Sequence, residues 1–475
     1  MSSKSVIVIG GGLAGLSSAV ALADAGFRVR LLERRPFLGG RAASYDLPGG
    51  EHVDNCQHVT LGCCTNLDDF YRRVEAGHKI VFYDRLVFVD SAGHRAVLQA
   101  APLPPPFHLA PAFALYPFLT WAERHQIGHA LMSIARRGER SADGDGAGES
   151  MLDWLRRHRQ SNASMERFWK VVLVSALNEN LGRMDARYGL DVFWKAFLSN
   201  RAGYRLGIPR TPLGDLYDGC GAAIERRGGE VALRAAVRGL RVSDGRVVAV
   251  EMDTGRNETA DIYVLAVPHE GVLDLLPALV VDQETQFANL RRLRTSPITG
   301  VHFWFDRDVM AEPFLTPVDT TTQWIFNKSR LYGQPGGRYL QLVISASYDL
   351  LPRSRQEIIE LCRAELRTLL PATREANLVK ATVVKEAAAT FSPEPGSDRW
   401  RPSQCTSLPN LYLAGDWTKT GWPATMEGAV RSGYLAAEAI LSASGAHRQL
   451  VRPDLPAEGL SRWLASRDRG PGLDC

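Results

Sequence analysis

Glu33 closes an apolar run, Arg41 follows a glycine pair, and Asp54, Gln57 and His58 set a carboxylate, an amide and an imidazole within five residues. A carboxylate at the end of a strand can accept hydrogen bonds from a ribose diol, and its charge would repel a 2′-phosphate. A guanidinium next to glycines, where backbone comes close, offers a fixed positive fork to a pyrophosphate. Asp54 and His58 can move protons beside a bound ligand. The same spacing also suits a turn closed by side-chain-to-backbone hydrogen bonds, and spacing alone does not choose.

These groups need elements to carry them. Val6-Ile7-Val8-Ile9 is short and β-branched, as a strand buried on both faces would be. Gly10-Gly11-Gly12-Leu13-Ala14-Gly15 follows at once; Leu16 to Ala25 has helical spacing and stops at Gly26; Val29 to Leu32 is a second strand ending on Glu33. This is a βαβ unit with G-x-G-x-x-G in its first turn and an acid about twenty residues on. Gly10 serves the tight turn, Gly12 the approach of a pyrophosphate, and Gly15 the packing of helix on strand. The N–H groups around Leu13 and Ala14 then face the anion. Arg34 follows Glu33, and Gly39-Gly40-Arg41 supplies a second close approach with its cation.

The bulk composition narrows the class. A chain of 475 residues, 45% hydrophobic and 23% charged, is ordinary globular material. A formal net charge of +4 without long basic runs argues against nucleic acid as a partner. Seven scattered cysteines without C-x-x-C form neither a disulfide framework nor a metal site, so a reducing compartment and no metal are expected. The first strand begins by Val6, leaving no room for a signal peptide, and no uninterrupted apolar segment spans a bilayer. A cytoplasmic location is expected, with peripheral contact on the inner membrane face in view.

Further along, residues 80–99 alternate like strands. Pro102 to Trp121 is apolar and proline-broken, and suits core, an apolar substrate entrance or an interfacial membrane patch. A loop is expected at Asp143 to Gly148 and a capped helix from Ser150. Met165 to Trp194 reads as helix rich in large apolar residues. Strands return from Gly228 to Pro268; residues 297–305 and 338–346 alternate like strands with one exposed face, and Arg355 to Leu370 is an amphipathic helix. Leu411 to Leu413 is a strand running into Ala414-Gly415-Asp416, and a helix opens near Ala424-Thr425-Met426-Glu427. The tail after Ser442 is expected to be loosely ordered.

The spacing from Glu33 to Gly39-Gly40-Arg41-Ala42 resembles the FAD-dependent amine oxidase and phytoene desaturase superfamily. That resemblance implies non-covalent FAD: where covalent-flavin members place a cysteine, this chain reads Lys419-Thr420-Gly421-Trp422-Pro423. Gly415 and Asp416 would hold ribityl or phosphate-linked hydroxyls, N–H groups at Thr425, Met426 and Glu427 would stabilise charge on reduced flavin, and backbone at Val237 would meet the adenine end. The implied fold is α/β, a Rossmann-like FAD-binding domain with an inserted mixed α+β substrate-binding domain. Its parts would be residues 1–100, 206–275 and 391–442 for FAD, 101–205 as a helical apolar substrate or membrane-contact region, 276–390 as a substrate domain with an antiparallel sheet, and 443–475 as tail. Within the superfamily, residues 54–67 and 414–433 are most similar to the hydroxysqualene dehydroxylases, with Cys56 standing where glycine is usual. A C30 isoprenoid partner and an electron donor the sequence does not identify follow from that resemblance; the implied reaction needs a proton donor, and Asp54 or His58 are the candidates by their proximity in sequence to the flavin-binding arm. A carotenoid-type desaturase, an amine oxidase with Trp417 and Trp422 flanking the flavin, and a non-catalytic isoprenoid carrier remain alternatives.

Overall fold

The apolar runs that open the chain form the middle of a five-stranded parallel sheet in a computed structural model, which describes residues 4–139 and 148–467. Its strands are β1 (Ser5–Ile9), β2 (Arg28–Glu33), β3 (Glu230–Leu233), β4 (Ile262–Leu265) and β5 (Leu411–Leu413), in the order β3-β2-β1-β4-β5. Successive side chains of a strand face opposite sides. Val6 and Val8 therefore pack into one hydrophobic cluster while Ile7 and Ile9 enter another. The first cluster is roofed by two helices, α1 (Leu13–Asp24) and α2 (Met426–Ala443). They touch at backbone distance, since a Cβ on Gly433 would lie 2.1 Å from Ser17 Oγ and 2.4 Å from Ala14 O. The start and the end of the FAD-type motif thus share one face of one sheet, and the expected α/β class stands.

A second sheet carries the other half of the molecule. Its seven strands run in the order 378–391, 295–305, 339–345, 324–327, 314–317, 86–89 and 95–98. All neighbours pair antiparallel except 314–317 with 86–89. The strands at 86–98, expected in the nucleotide domain, therefore belong to the inserted sheet. Residues 297–305 and 338–346 also depart from expectation. Tyr339–Ser345 is buried throughout and Thr295–Phe305 nearly so, because the helix Arg355–Leu369 covers one face and the cleft region covers the other. That helix has the capping box formed by Ser354 and Glu357.

A helical region packs on the seven-stranded sheet, sharing a core with Phe88, Phe314, Phe326 and Val343. Ser150 caps Met151–Arg157 as expected, while the helix expected over 165–194 is broken at Asn178, which takes left-handed geometry, and resumes at Ala186. Segment 102–121 divides: Leu109, Tyr116, Phe118 and Leu119 are core, whereas Leu103, Phe107, Leu115 and Trp121 are exposed. Residues 143–147 of the expected loop lie outside the described residues. The tail departs from expectation as far as 467. Asn66 bonds both the N–H and the carbonyl of Arg452, Asp454 pairs with Lys195 and Arg431, and the helix Gly459–Arg467 packs against Trp121–Arg137. These ion pairs and backbone bonds supply order that the tail's Pro- and Arg-rich composition does not suggest.

Candidate functional site

A cavity of about 700 Å³ opens where α1, α2 and the two sheets meet, within the size range of ligand and cofactor sites. Its nucleotide-facing wall is built from the turn after β1. Gly10 has φ +110°, and a Cβ there would lie 2.5 Å from Ala266 O. Gly12 precedes α1 with no side-chain cap, so the first N–H groups of the helix are left for a ligand. Gly39 and Gly40 lie against this turn: Gly39 N–H donates to Gly11 O at 2.8 Å, and a Cβ on Gly40 would be 3.0 Å from Gly12 Cα. The two glycine motifs are thus one surface.

Charged side chains complete it. Glu33 Oε2 accepts from Gly11 N–H at 2.7 Å and Oε1 from Arg35 N–H at 2.8 Å, which aims the carboxylate and leaves further lone pairs for a ribose. Arg41 Nη2 donates to both oxygens of Asp416 at 2.8 Å, and Nη1 to Ala389 O at 2.8 Å. Burial works against the guanidinium charge, yet Asp416 holds Arg41 above its ordinary value. Asp416 is fixed from behind by buried Arg401, whose Nη2 donates to its carbonyl at 3.0 Å. At the start of α2, Thr425 Oγ1 accepts from Gly428 N–H, which leaves the N–H groups of Met426 and Glu427 ahead of the first intrahelical bonds.

Of the expected FAD-contacting residues, Gly10, Gly12, Leu13, Ala14, Glu33, Arg34, Gly39, Gly40, Arg41, Val237, Gly415, Asp416, Thr425 and Met426 line this one cavity. Gly15 and Glu427 do not. Gly15 acts one layer back, since a Cβ there would sit 1.9 Å from Gly10 O. The Glu427 carboxylate turns away and caps the helix Thr65–Arg73, accepting from Leu67 N–H at 2.8 Å and Asn66 Nδ2 at 2.9 Å. The helix N-terminal N–H groups and Arg41 as donors, with Glu33 and Asp416 as acceptors, form a set that fits a flavin dinucleotide.

The cavity continues past these groups into an apolar chamber walled by Val59, Ala176, Ile298, Trp324, Phe326 and Val343. His58 lies on the wall. Its Nδ1 is 2.9 Å from Cys56 O, so Nδ1 carries the hydrogen and Nε2 is left as the other ring position. Burial lowers its pKa, with the Cys56 carbonyl opposing.

Asp54 is placed elsewhere. Its carboxylate is outside the cavity lining and fully buried, with Ser44 Oγ (2.6 Å) and Leu213 N–H (2.9 Å) on Oδ1, and Lys328 Nζ (2.6 Å) and Tyr332 OH (2.7 Å) on Oδ2. Burial alone would raise its pKa, but the Lys328 charge and these donors hold it below the ordinary value. A saturated, ionised carboxylate has no proton to give. The expectation of Asp54 as proton donor is corrected on that ground. Lys328 and Tyr332 were missed because their partner is more than 270 residues away in sequence, and no local pattern marks them. The aromatic pair of the amine-oxidase alternative does not form: Trp417 lines the cavity, while Trp422 packs with Cys63 and Ala196 beneath Arg431.

A family model for flavin-containing amine oxidoreductases matches residues 13–441. The chain is 28% identical to a probable zeta-carotene desaturase of Synechococcus elongatus, covering 92% of this chain and 98% of that protein. It is 26% identical to the 15-cis-phytoene desaturase of the same organism, covering 92% and 96%. Among solved structures, an oxidoreductase from Methanosarcina mazei superposes with a TM-score of 0.70 at 18% identity, covering 90% of this chain and 98% of that one. Putrescine oxidase bound to putrescine superposes with a TM-score of 0.71 at 15% identity, covering 93% and 99%.

Proposed function

The chain belongs to the family of flavin-containing amine oxidoreductases and is an FAD-dependent oxidoreductase; from that premise we propose that it converts hydroxysqualene to squalene. In balance, the allylic C–O bond breaks, a C–H bond forms in its place, and the oxygen leaves as water, with two electrons drawn from reduced FAD. Bound FAD supplies the two-electron chemistry. The protein's residues bind, orient and exclude water.

The observation that carries this reading is the continuity of the nucleotide cleft with the chamber of Ile298, Trp324, Phe326 and Val343. Such a wall suits a hydrocarbon; the carboxylate opposite Ile298, Glu386, accepts from Asn55 Nδ2 at 3.4 Å. The similarity of residues 54–67 and 414–433 to the hydroxysqualene dehydroxylases supports the choice of substrate. His58 is the proposed proton donor to the leaving oxygen, acting as the imidazolium, because Nδ1–H is committed to Cys56 O and Nε2 carries a proton only when the ring is charged. With its pKa below the ordinary 6.5, the protonated form is lost as pH rises through that lowered value, so turnover should fall on the same limb, and His58→Asn should remove the limb.

A second reading, oxidative desaturation of a carotenoid precursor, is favoured by the relatives named for zeta-carotene and phytoene. One experiment separates them. The purified protein is reduced anaerobically and offered hydroxysqualene and squalene in turn, and the oxidised protein is offered phytoene, with products identified by mass spectrometry. Flavin reoxidation with squalene formed from hydroxysqualene alone is expected. No reoxidation by hydroxysqualene, with phytoene desaturated by the oxidised protein, would transfer the function to the second reading.

Peripheral membrane contact belongs to the same proposal. Six of the ten exposed large hydrophobic residues, among the described residues, are Leu103, Phe107, Leu115, Trp121, Leu460 and Trp463. The segments that carry them touch, with Ser461 N–H donating to Pro105 O and the helix Gly459–Arg467 packed on Trp121–Arg137. No helix among the described residues is long and apolar enough to cross a membrane, so contact would be interfacial.

A further inference from the structure

The loop 55–59 stands at the junction of the two halves of the cavity. Asn55 Nδ2 donates to Arg41 O at 3.2 Å on the nucleotide side. On the other side the strand Thr295–Phe305 passes so close that a Cβ on Gly300 would lie 3.3 Å from Asn55 O. Asn55, Cys56, Gln57, His58 and Val59 all line the cavity. Electrons must pass between cofactor and substrate at such a junction, so the placement of this loop bears directly on the chemistry.

What holds the loop is an ammonium from the other domain. Lys328 opens a short helix after the strand Trp324–Asn327 of the inserted sheet and is completely buried. Its Nζ donates to Asp54 Oδ2 and to Gln57 Oε1, both at 2.6 Å, and lies 4.3 Å from the centre of the Tyr332 ring. Gln57 in turn donates to His58 O at 3.0 Å. Burial pulls the Lys328 pKa down while Asp54 opposes the shift. A buried ion pair is a poor source of stability, because desolvation offsets its attraction, but it fixes one registry strongly. Here the registry fixed is that of the cavity wall against the inserted sheet.

We propose that Lys328 is a positioning residue for the redox site: by gripping Asp54 and Gln57 together it sets the loop 55–59, and through Gln57 the backbone of His58, against the flavin cleft. This rests on the cleft being the flavin site, not on which isoprenoid fills the chamber. Lys328 touches neither half of the cavity itself and acts only through the loop.

Three variants of the FAD-loaded full chain test it. Lys328→Met strands a buried carboxylate and can fail to fold. Asp54→Asn/Lys328→Met removes both charges together, and Gln57→Leu removes the bond to Lys328 together with Gln57's own bond to His58 O. In the double variant and in Gln57→Leu, FAD content and thermal midpoint should stay near wild type. The visible circular dichroism of the bound flavin should shift in the same way in both, and turnover of hydroxysqualene at saturation should fall at least tenfold, with KM changing less than threefold. A wild-type flavin spectrum together with wild-type turnover in the Asp54→Asn/Lys328→Met variant would overturn the proposal, whatever Gln57→Leu does. If wild-type protein binds FAD but does not turn over hydroxysqualene, the substrate reading has failed, and the flavin spectra of the same variants still decide the role of Lys328.

Discussion

At the nucleotide end of the cavity the wall is mostly backbone. Gly11-Gly12 and Gly39-Gly40 lie backbone to backbone, Gly10 lies against Ala266, and Glu33, Arg41 and Asp416 are each pinned by hydrogen bonds of 2.7–2.8 Å. At the far end the wall is side chain, with Ile298, Trp324, Phe326 and Val343 facing inward from the inserted sheet. The difference is one of tolerance. Where main chain packs on main chain no added atom can rotate away, whereas an apolar wall can exchange one side chain for another of similar volume. A nucleotide end of this kind can stay fixed while the far end changes substrate.

The largest effect should come from violating the rigid end. Gly15→Val places atoms where even a Cβ is 1.9 Å from Gly10 O; loss of bound flavin and about 3 kcal/mol or more of stability are expected, measured by flavin absorbance and denaturant midpoint. Retained FAD with wild-type stability would break the comparison. Arg41→Met removes charge-assisted bonds and leaves Asp416 unpaired, so FAD affinity should weaken by about 1.5–3 kcal/mol, roughly ten- to a hundredfold, as measured by calorimetric titration of apoprotein.

The inserted sheet has its own liability. Burial lowers the His302 pKa to about 3, against an ordinary 6.5. Between those values the unfolded chain binds a proton that the fold does not, so stability falls as pH drops across the window. Roughly 1–2 kcal/mol should go between about pH 6.5 and 5, followed by urea melts, and His302→Gln should flatten that slope. Trp324→Ala opens the chamber without touching the nucleotide wall; kcat/KM for hydroxysqualene should fall about tenfold with the FAD dissociation constant unchanged. If it weakens FAD as much as Arg41→Met does, the two ends are not separable. Of the same size, Leu115→Ala/Trp121→Ala should reduce partitioning onto phospholipid vesicles by about tenfold, near 1.4 kcal/mol, and leave turnover in detergent unaltered.

The rigid end was legible in the sequence because each of its requirements is local. A tight turn, a helix start and a strand-terminal acid leave glycines and Glu33 at fixed offsets, and Arg41 and the Gly415-Asp416 segment repeat that logic. Residues whose partners lie far away were not legible. Glu427 sits in the cofactor-side segment by sequence, yet its carboxylate caps a helix at Asn66 and Leu67. Asp54 and His58 are four residues apart and appear equivalent candidates, yet one is enclosed by Lys328 and Tyr332 while the other faces the cavity.

The sequence by itself therefore determined the parallel sheet and the dinucleotide turn, because backbone geometry dictates residue type there; that both chain ends serve one cofactor was implied by the family resemblance. Only the tertiary structure decided which acid–base groups reach the cavity, that strands 86–98 join the inserted sheet, and that a buried lysine from one domain grips the loop of the other. Those outcomes depend on which side chains meet after the chain has closed on itself, and a charge or an apolar residue carries no local mark of the partner it will find.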